Sequence, residues 1–183
     1  MMGALRYFRT EAERIANSAG IRFDGRDMFV AEVPIDNVQG AMVVVANASA
    51  EATSAAALKL SERTDRDARD ELYVRLLSIY RTKSVERDVE LLGASNHKWR
   101  VSVLVQDTEH RWIFEPVTGH YISAVGTAAK FHDFARAANG PKRAAVIRSR
   151  EDLKDFYGLI SGASSRVLTM GDPDAAFESL MAA

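Results

Sequence analysis

The stretch 99–117, Trp-Arg-Val-Ser-Val-Leu-Val-Gln-Asp-Thr-Glu-His-Arg-Trp-Ile-Phe-Glu-Pro-Val, sets one acid, Glu115, inside an apolar run. An acid in that setting is either solvated at a strand end or held by a hydrogen-bonding partner, because a carboxylate buried alone is costly. The four histidines, His97, His110, His120 and His132, show no ligand spacing such as His-x-x-x-His. His110 and His120 flank the second apolar run and are the one pair that could converge. Ser161-Gly162-Ala163-Ser164-Ser165 lacks the lysine and the preceding strand of a phosphate loop, and reads as a helix-to-strand turn. Trp99 and Trp112 fall on adjacent expected strands, where core packing is favoured over a base-stacking platform. The charged stretch 62–71 reads as the wet face of a helix.

These residues must be positioned by the elements around them. Val101, Val103 and Val105 alternate with Ser102 and Leu104, a strand with at least one buried face. Residues 107–110 form a polar turn, 111–117 a second strand, and 120–124 a third. Before them, Leu5, Phe8, Ala12, Ile15 and Ala19 make one stripe of an amphipathic helix stopped at Gly20. Asp24-Gly25 between apolar runs signals a hairpin, Pro34 ends its second strand, and 41–46 reads as a third strand of a small meander. Ser49 and Thr64 each read as a helix start, Thr64 with Asp67 as a capping-box variant. Ser84 reads as the cap of a further short helix through Val85, Val89 and Leu92. After the central strands, Thr127 is expected to cap a helix carrying Phe131 and Phe134. Residues 144–147 form a strand buried on both faces, Ser149 with Asp152 caps the next helix, 167–170 is a strand, and Asp172-Pro173 opens a last helix.

The expected fold is therefore α+β: a mixed central sheet flanked by helices, with an N-terminal helix and antiparallel β-meander. Two regions are expected, 1–47 for the helix and meander and 48–183 for the α/β core, packed as one globular unit. A chain of 183 residues with 47 % hydrophobic and 27 % charged residues can bury a core without staples. The balance of 24 basic against 25 acidic residues, net charge −1, does not favour nucleic acid as the partner. The chain has no cysteine, hence neither disulfides nor thiolate metal sites, which fits a reducing, cytoplasmic setting. Charged residues stud the first nineteen positions, against a signal peptide, and no single apolar run is long enough for a membrane span.

From Thr64 onward the expected order is helix, strand, strand, strand, helix, strand, helix, strand. Over roughly 64–170 that order resembles the core of the PD-(D/E)XK nuclease superfamily. The resemblance implies an acid on one central strand and a Glu-x-Lys on the next, holding a divalent metal and activating water. Here Ser102 stands where the acid belongs, Glu115 matches the acid of the second motif, and Val117 stands in place of the lysine. A hard cation wants two or more anionic oxygens, and valine cannot orient water or stabilise charge. The resemblance thus implies a catalytically degenerate, non-enzymatic binding or regulatory protein of the kind carried by bacterial or phage genomes, with no metal or other cofactor. Its expected partner is another protein, a second copy of the chain included. The alternative is a metal-dependent nuclease with a relocated site, in which Asp107 adds a second carboxylate for Mg²⁺ beside Glu115 and Lys130 supplies the cation. A third class is an assembly protein, marked by a free apolar edge on the meander.

Overall fold

In the computed structural model, which describes residues 2–182, the alternating valines form strand β4 (Lys98–Gln106). It lies between β3 (Ser84–Leu92) and β5 (Arg111–Val117), antiparallel to both. Two tight turns make those pairings. Gly93 donates to the carbonyl of His97 in the first, and the Asp107 carboxylate caps the second by accepting from the amides of Glu109 and His110. The chain then crosses over through α3 (Tyr121–Ala135) to β6 (Lys142–Ile147), parallel to β5. A broken helical segment, α4 (Arg150–Leu153) and α5 (Tyr157–Ala163), leads to β7 (Arg166–Thr169), parallel to β6. The sheet is mixed, in the order β3-β4-β5-β6-β7. Parallel neighbours need such crossovers, whereas antiparallel ones need only a turn.

The class is α+β, and the sheet is covered on both faces. Phe131 and Phe134 of α3 and Ile160 of α5 pack on Leu104, Ile113 and Val117. Leu72, Leu76 and Tyr80 pack on Val103, Val105, Phe114 and Val146, with Phe177 from α6 (Asp174–Glu178). The Tyr80 hydroxyl donates to the carbonyl of Phe177. Residues 144–147 are buried throughout, as a strand covered on both faces requires.

The chain divides into two compact units, Met1–Arg63 and Thr64–Ala183. In the first, α1 (Met2–Ala19) buries Ala12 and Ile15 against Ala48 and Ala52. The expected Asp24-Gly25 hairpin joins β1 (Arg22–Phe23) to β2 (Phe29–Val30), with Gly25 at φ 83° and the Asp24 carboxylate accepting from three following amides. Gly25 meets the left-handed backbone that such a turn requires.

Three segments differ from the sequence reading. Residues 41–46 are not the meander's third strand. They lie in α2, which runs unbroken from Val38 to Ile79, through the expected starts at Ser49 and Thr64. Alanine-rich sequence follows the three valines, and no proline interrupts it, so summed helix propensity outweighs a short β-branched run. Ser49 and Thr53 bond back to carbonyls one turn earlier instead of capping. The division into two units falls after Arg63, inside this helix, while the sequence reading sets its boundary after residue 47. The continuous helix also joins apolar segments that read as separate, so the span Ile35–Ile79 is long and apolar enough to meet the length and composition of a membrane span. Residues 84–92 are a strand, not a helix: Val85 and Val89 fit a four-residue period, but Val89 and Leu91 continue an alternation. Residues 120–124 begin α3, with His120 at its N-cap, and Thr127 lies inside that helix. The expected order from Thr64 is present, but its three strands are 84–92, 98–106 and 111–117.

Candidate functional site

Ladder register builds the site. Arg87 pairs with Val103 and Val89 with Val101, which sets Asp88 level with Ser102. Val103 pairs with Phe114, which sets Ser102 level with Glu115. Asp88, Ser102 and Glu115 thus form one row across three strands. The regular alternation breaks at this row. Val101 packs in the cluster with Phe131 of α3, yet Val103, two residues on, packs with Leu72 of α2. Asp88 has φ 55°, a left-handed backbone that aspartate tolerates better than most residues.

Glu115 is 4 % exposed and Ser102 8 %. Both carboxylate oxygens of Glu115 are engaged. One accepts from the Ser102 amide at 3.0 Å and from Lys130 Nζ at 2.6 Å, and the other accepts from the Ser102 hydroxyl at 2.6 Å. Lys130 reaches in from α3 and also donates to the carbonyl of Arg100 at 2.6 Å. The result is a buried ion pair in which the acid is neutralised and accepts three hydrogen bonds. It floors a cleft of about 270 Å³ whose rim carries Asp65, Arg69, Asp88 and Arg100. The rim charges are largely paired as well. Asp65 accepts from the Thr118 hydroxyl at 2.7 Å, and Asp88 lies 3.1 Å from Arg87 Nε and 3.5 Å from Arg100 Nε.

Of the residues singled out by the sequence, Glu115, Lys130 and Ser102 come together. Asp107 does not join them. It lies five residues further along the chain than Ser102, roughly 17 Å away at strand spacing. There Lys83 bonds to it, and that bond, with the Glu109 and His110 amides, holds its carboxyl well below the usual carboxylate range. The relocated triad of Asp107, Glu115 and Lys130 is therefore a pair, because Asp107 caps the turn at the other end of the hairpin. Val117 lines a neighbouring cleft of about 380 Å³ at the ends of β5 and β6. His110 and His120 stand at opposite ends of β5 and do not converge. His110 Nδ1 lies 3.4 Å from Asp107, and His97 packs edge-on against Trp99. Both tryptophans serve the core. Trp112 is buried, and Trp99 Nε1 donates to Asp133 at 2.7 Å.

Sequence reasoning missed Asp65 and Asp88. Asp65 lies in the charged stretch 62–71 read as the wet face of a helix, and Asp88 in a segment read as helical. At the candidate site Ser102 is neutral, Glu115 is paired with Lys130 and Asp88 with Arg87, Asp65 accepts from Thr118, and Asp107 is remote. Among the described residues, no group of three or more Asp, Glu or His is placed to hold a metal ion.

No family model matches the chain, and no curated protein matches it. A solved structure described as a protein of unknown function, AF1548, aligns with a TM-score of 0.39 and 16 % identity, over 58 % of this chain and 59 % of that one. At that level the likeness carries no inference about fold or function.

Proposed function

We propose that this chain acts by binding, as a small regulatory protein built on a catalytically degenerate nuclease-like core. The observation that carries the reading is the engagement of both Glu115 oxygens by Ser102 and Lys130. The acid that would hold a metal instead bridges β4 to α3 through Ser102 and Lys130. Such a latch fixes the helix on the sheet and leaves the surrounding cleft to recognise a partner. The cleft mixes three acids, Asp65, Asp88 and Glu115, with three bases, Arg69, Arg100 and Lys130. This balance suits a protein surface better than a phosphate backbone, which calls for a basic stripe.

The test is to incubate the protein with Mg²⁺ or Mn²⁺ and single- and double-stranded DNA and RNA, beside a Glu115→Gln control. The expected result is equal, background-level cleavage by both. Cleavage by the parent that disappears in Glu115→Gln would overturn the reading. It would favour the relocated nuclease, whose one support is the ammonium of Lys130 beside Glu115.

A further inference from the structure

In the N-terminal unit, the uncharged opening stretch of α2 stands largely bare. Residues 38–50 carry no charged side chain, and Ala48 alone among them is buried. Met42 is 67 % exposed, and Ile35, just before the helix, is 86 % exposed. An open groove of about 770 Å³ separates this helix from residues 29–33, and Glu32 is the one charged residue on its apolar wall. β2 pairs with β1 in a two-stranded sheet, so its outer edge is unpaired. Such a pair is marginal by itself, and a free apolar edge is a template for another chain.

The size of this face bears on what covers it. Met28, Val33, Ile35, Val38 and Met42 together expose roughly 500 Å², within the range of a monomer's largest patch and below the ~800 Å² per partner of a standard interface. A lipid surface would call for an excess of cations around the patch, yet the acids Glu32 and Asp36 border it beside the single cation Arg22. A patch whose one charged wall residue, Glu32, lies 3.6 Å from Arg22 can meet itself about a two-fold axis with little like-charge repulsion, and a two-fold interface is the commonest kind among homo-oligomers.

We propose that a second copy of the chain covers this face, with the Val38–Met42 side of α2 and the β2 edge of each N-terminal unit meeting the same surface of the other. This inference rests on the N-terminal unit alone and stands or falls separately from the reading of Glu115.

The experiment is sedimentation equilibrium of the full chain across the micromolar range, for the parent and for Met42→Glu, Ile35→Lys and Val74→Glu. Val74, 65 % exposed on the far half of α2, is the control. The parent mass should rise from 20.2 kDa towards twice that value with concentration. Met42→Glu and Ile35→Lys should each weaken association at least a hundredfold with unchanged circular dichroism, and Val74→Glu should behave as the parent. A parent that stays monomeric, or charge variants that associate as tightly as the parent, would overturn the proposal. So would a monomer that floats with phosphatidylcholine vesicles, since lipid would then be the occupant. Two charge positions, one outside the helix, keep the test decisive if either variant misfolds.

Discussion

Removing the ammonium from Lys130 should expose the worth of the buried pair. In Lys130→Met the helix keeps its packing stem, but Glu115 loses its one cationic partner while remaining 4 % exposed under α3. Breaking a buried pair from one side costs about 3–5 kcal/mol, because the remaining charge is uncompensated. Ser102 still donates two hydrogen bonds to Glu115, so the lower end, about 3 kcal/mol, is expected. For a chain of this size that corresponds to a fall of roughly 10 °C in Tm. Adding Glu115→Gln removes the stranded charge while keeping an acceptor for Ser102, so the double variant should regain at least half of the loss. Urea unfolding at neutral pH measures each quantity. A Lys130→Met variant within about 1 kcal/mol of the parent, or a double variant no more stable than the single, would refute the latch.

Two further outcomes follow from the same structure. Val103→Asp places an unpaired carboxylate at a fully buried position between Leu72 and Phe114, a cost comparable with a domain's whole margin of ~5–15 kcal/mol, so the variant should show no cooperative melt; one that melts like the parent would remove β4 from the core. At Asp133, bonds from the Ser95 hydroxyl and then from Trp99 hold the carboxyl below its ordinary pKa, so its contribution is present at neutral pH and lost as pH falls through that lowered value. Asp133→Asn should therefore be less stable than the parent at neutral pH and converge on it in acid, followed by Trp99 fluorescence during unfolding; a gap independent of pH would contradict the assigned bonds.

The central strands were legible because their signal is local. Val101, Val103 and Val105 alternate, and Val103, Val105, Ile113, Phe131, Val146 and Leu168 are all buried as their phase requires. The first half of α2 was not legible. Val43, Val44 and Val45 form a β-branched run, and only the helical sequence on their C-terminal side decides their conformation. The strand at 84–92 was hidden because valines four apart fit a helix and a strand equally well. At the site, Glu115 stood out as one acid in an apolar run, and Lys130 lies one crossover away, near enough for topology to suggest it. Asp88 could not be found that way. Its place beside Ser102 depends on a ladder register that no short-range pattern encodes. Asp107 misled although its turn was legible: with 107–110 as the turn, strand spacing already sets it at the end of the hairpin away from Ser102 and Glu115.

The most direct test of the Glu115 latch is a Mn²⁺ titration of the ¹⁵N-labelled protein, watching the amide of Ser102, which donates to the Glu115 carboxylate at 3.0 Å. A carboxylate already held by Lys130 and Ser102 should attract no paramagnetic ion, and the Ser102 resonance should broaden no more than those of exposed loops up to millimolar Mn²⁺. Selective broadening of Ser102 and its neighbours at submillimolar Mn²⁺, abolished by Glu115→Gln, would show that Glu115 binds metal and would contradict the account.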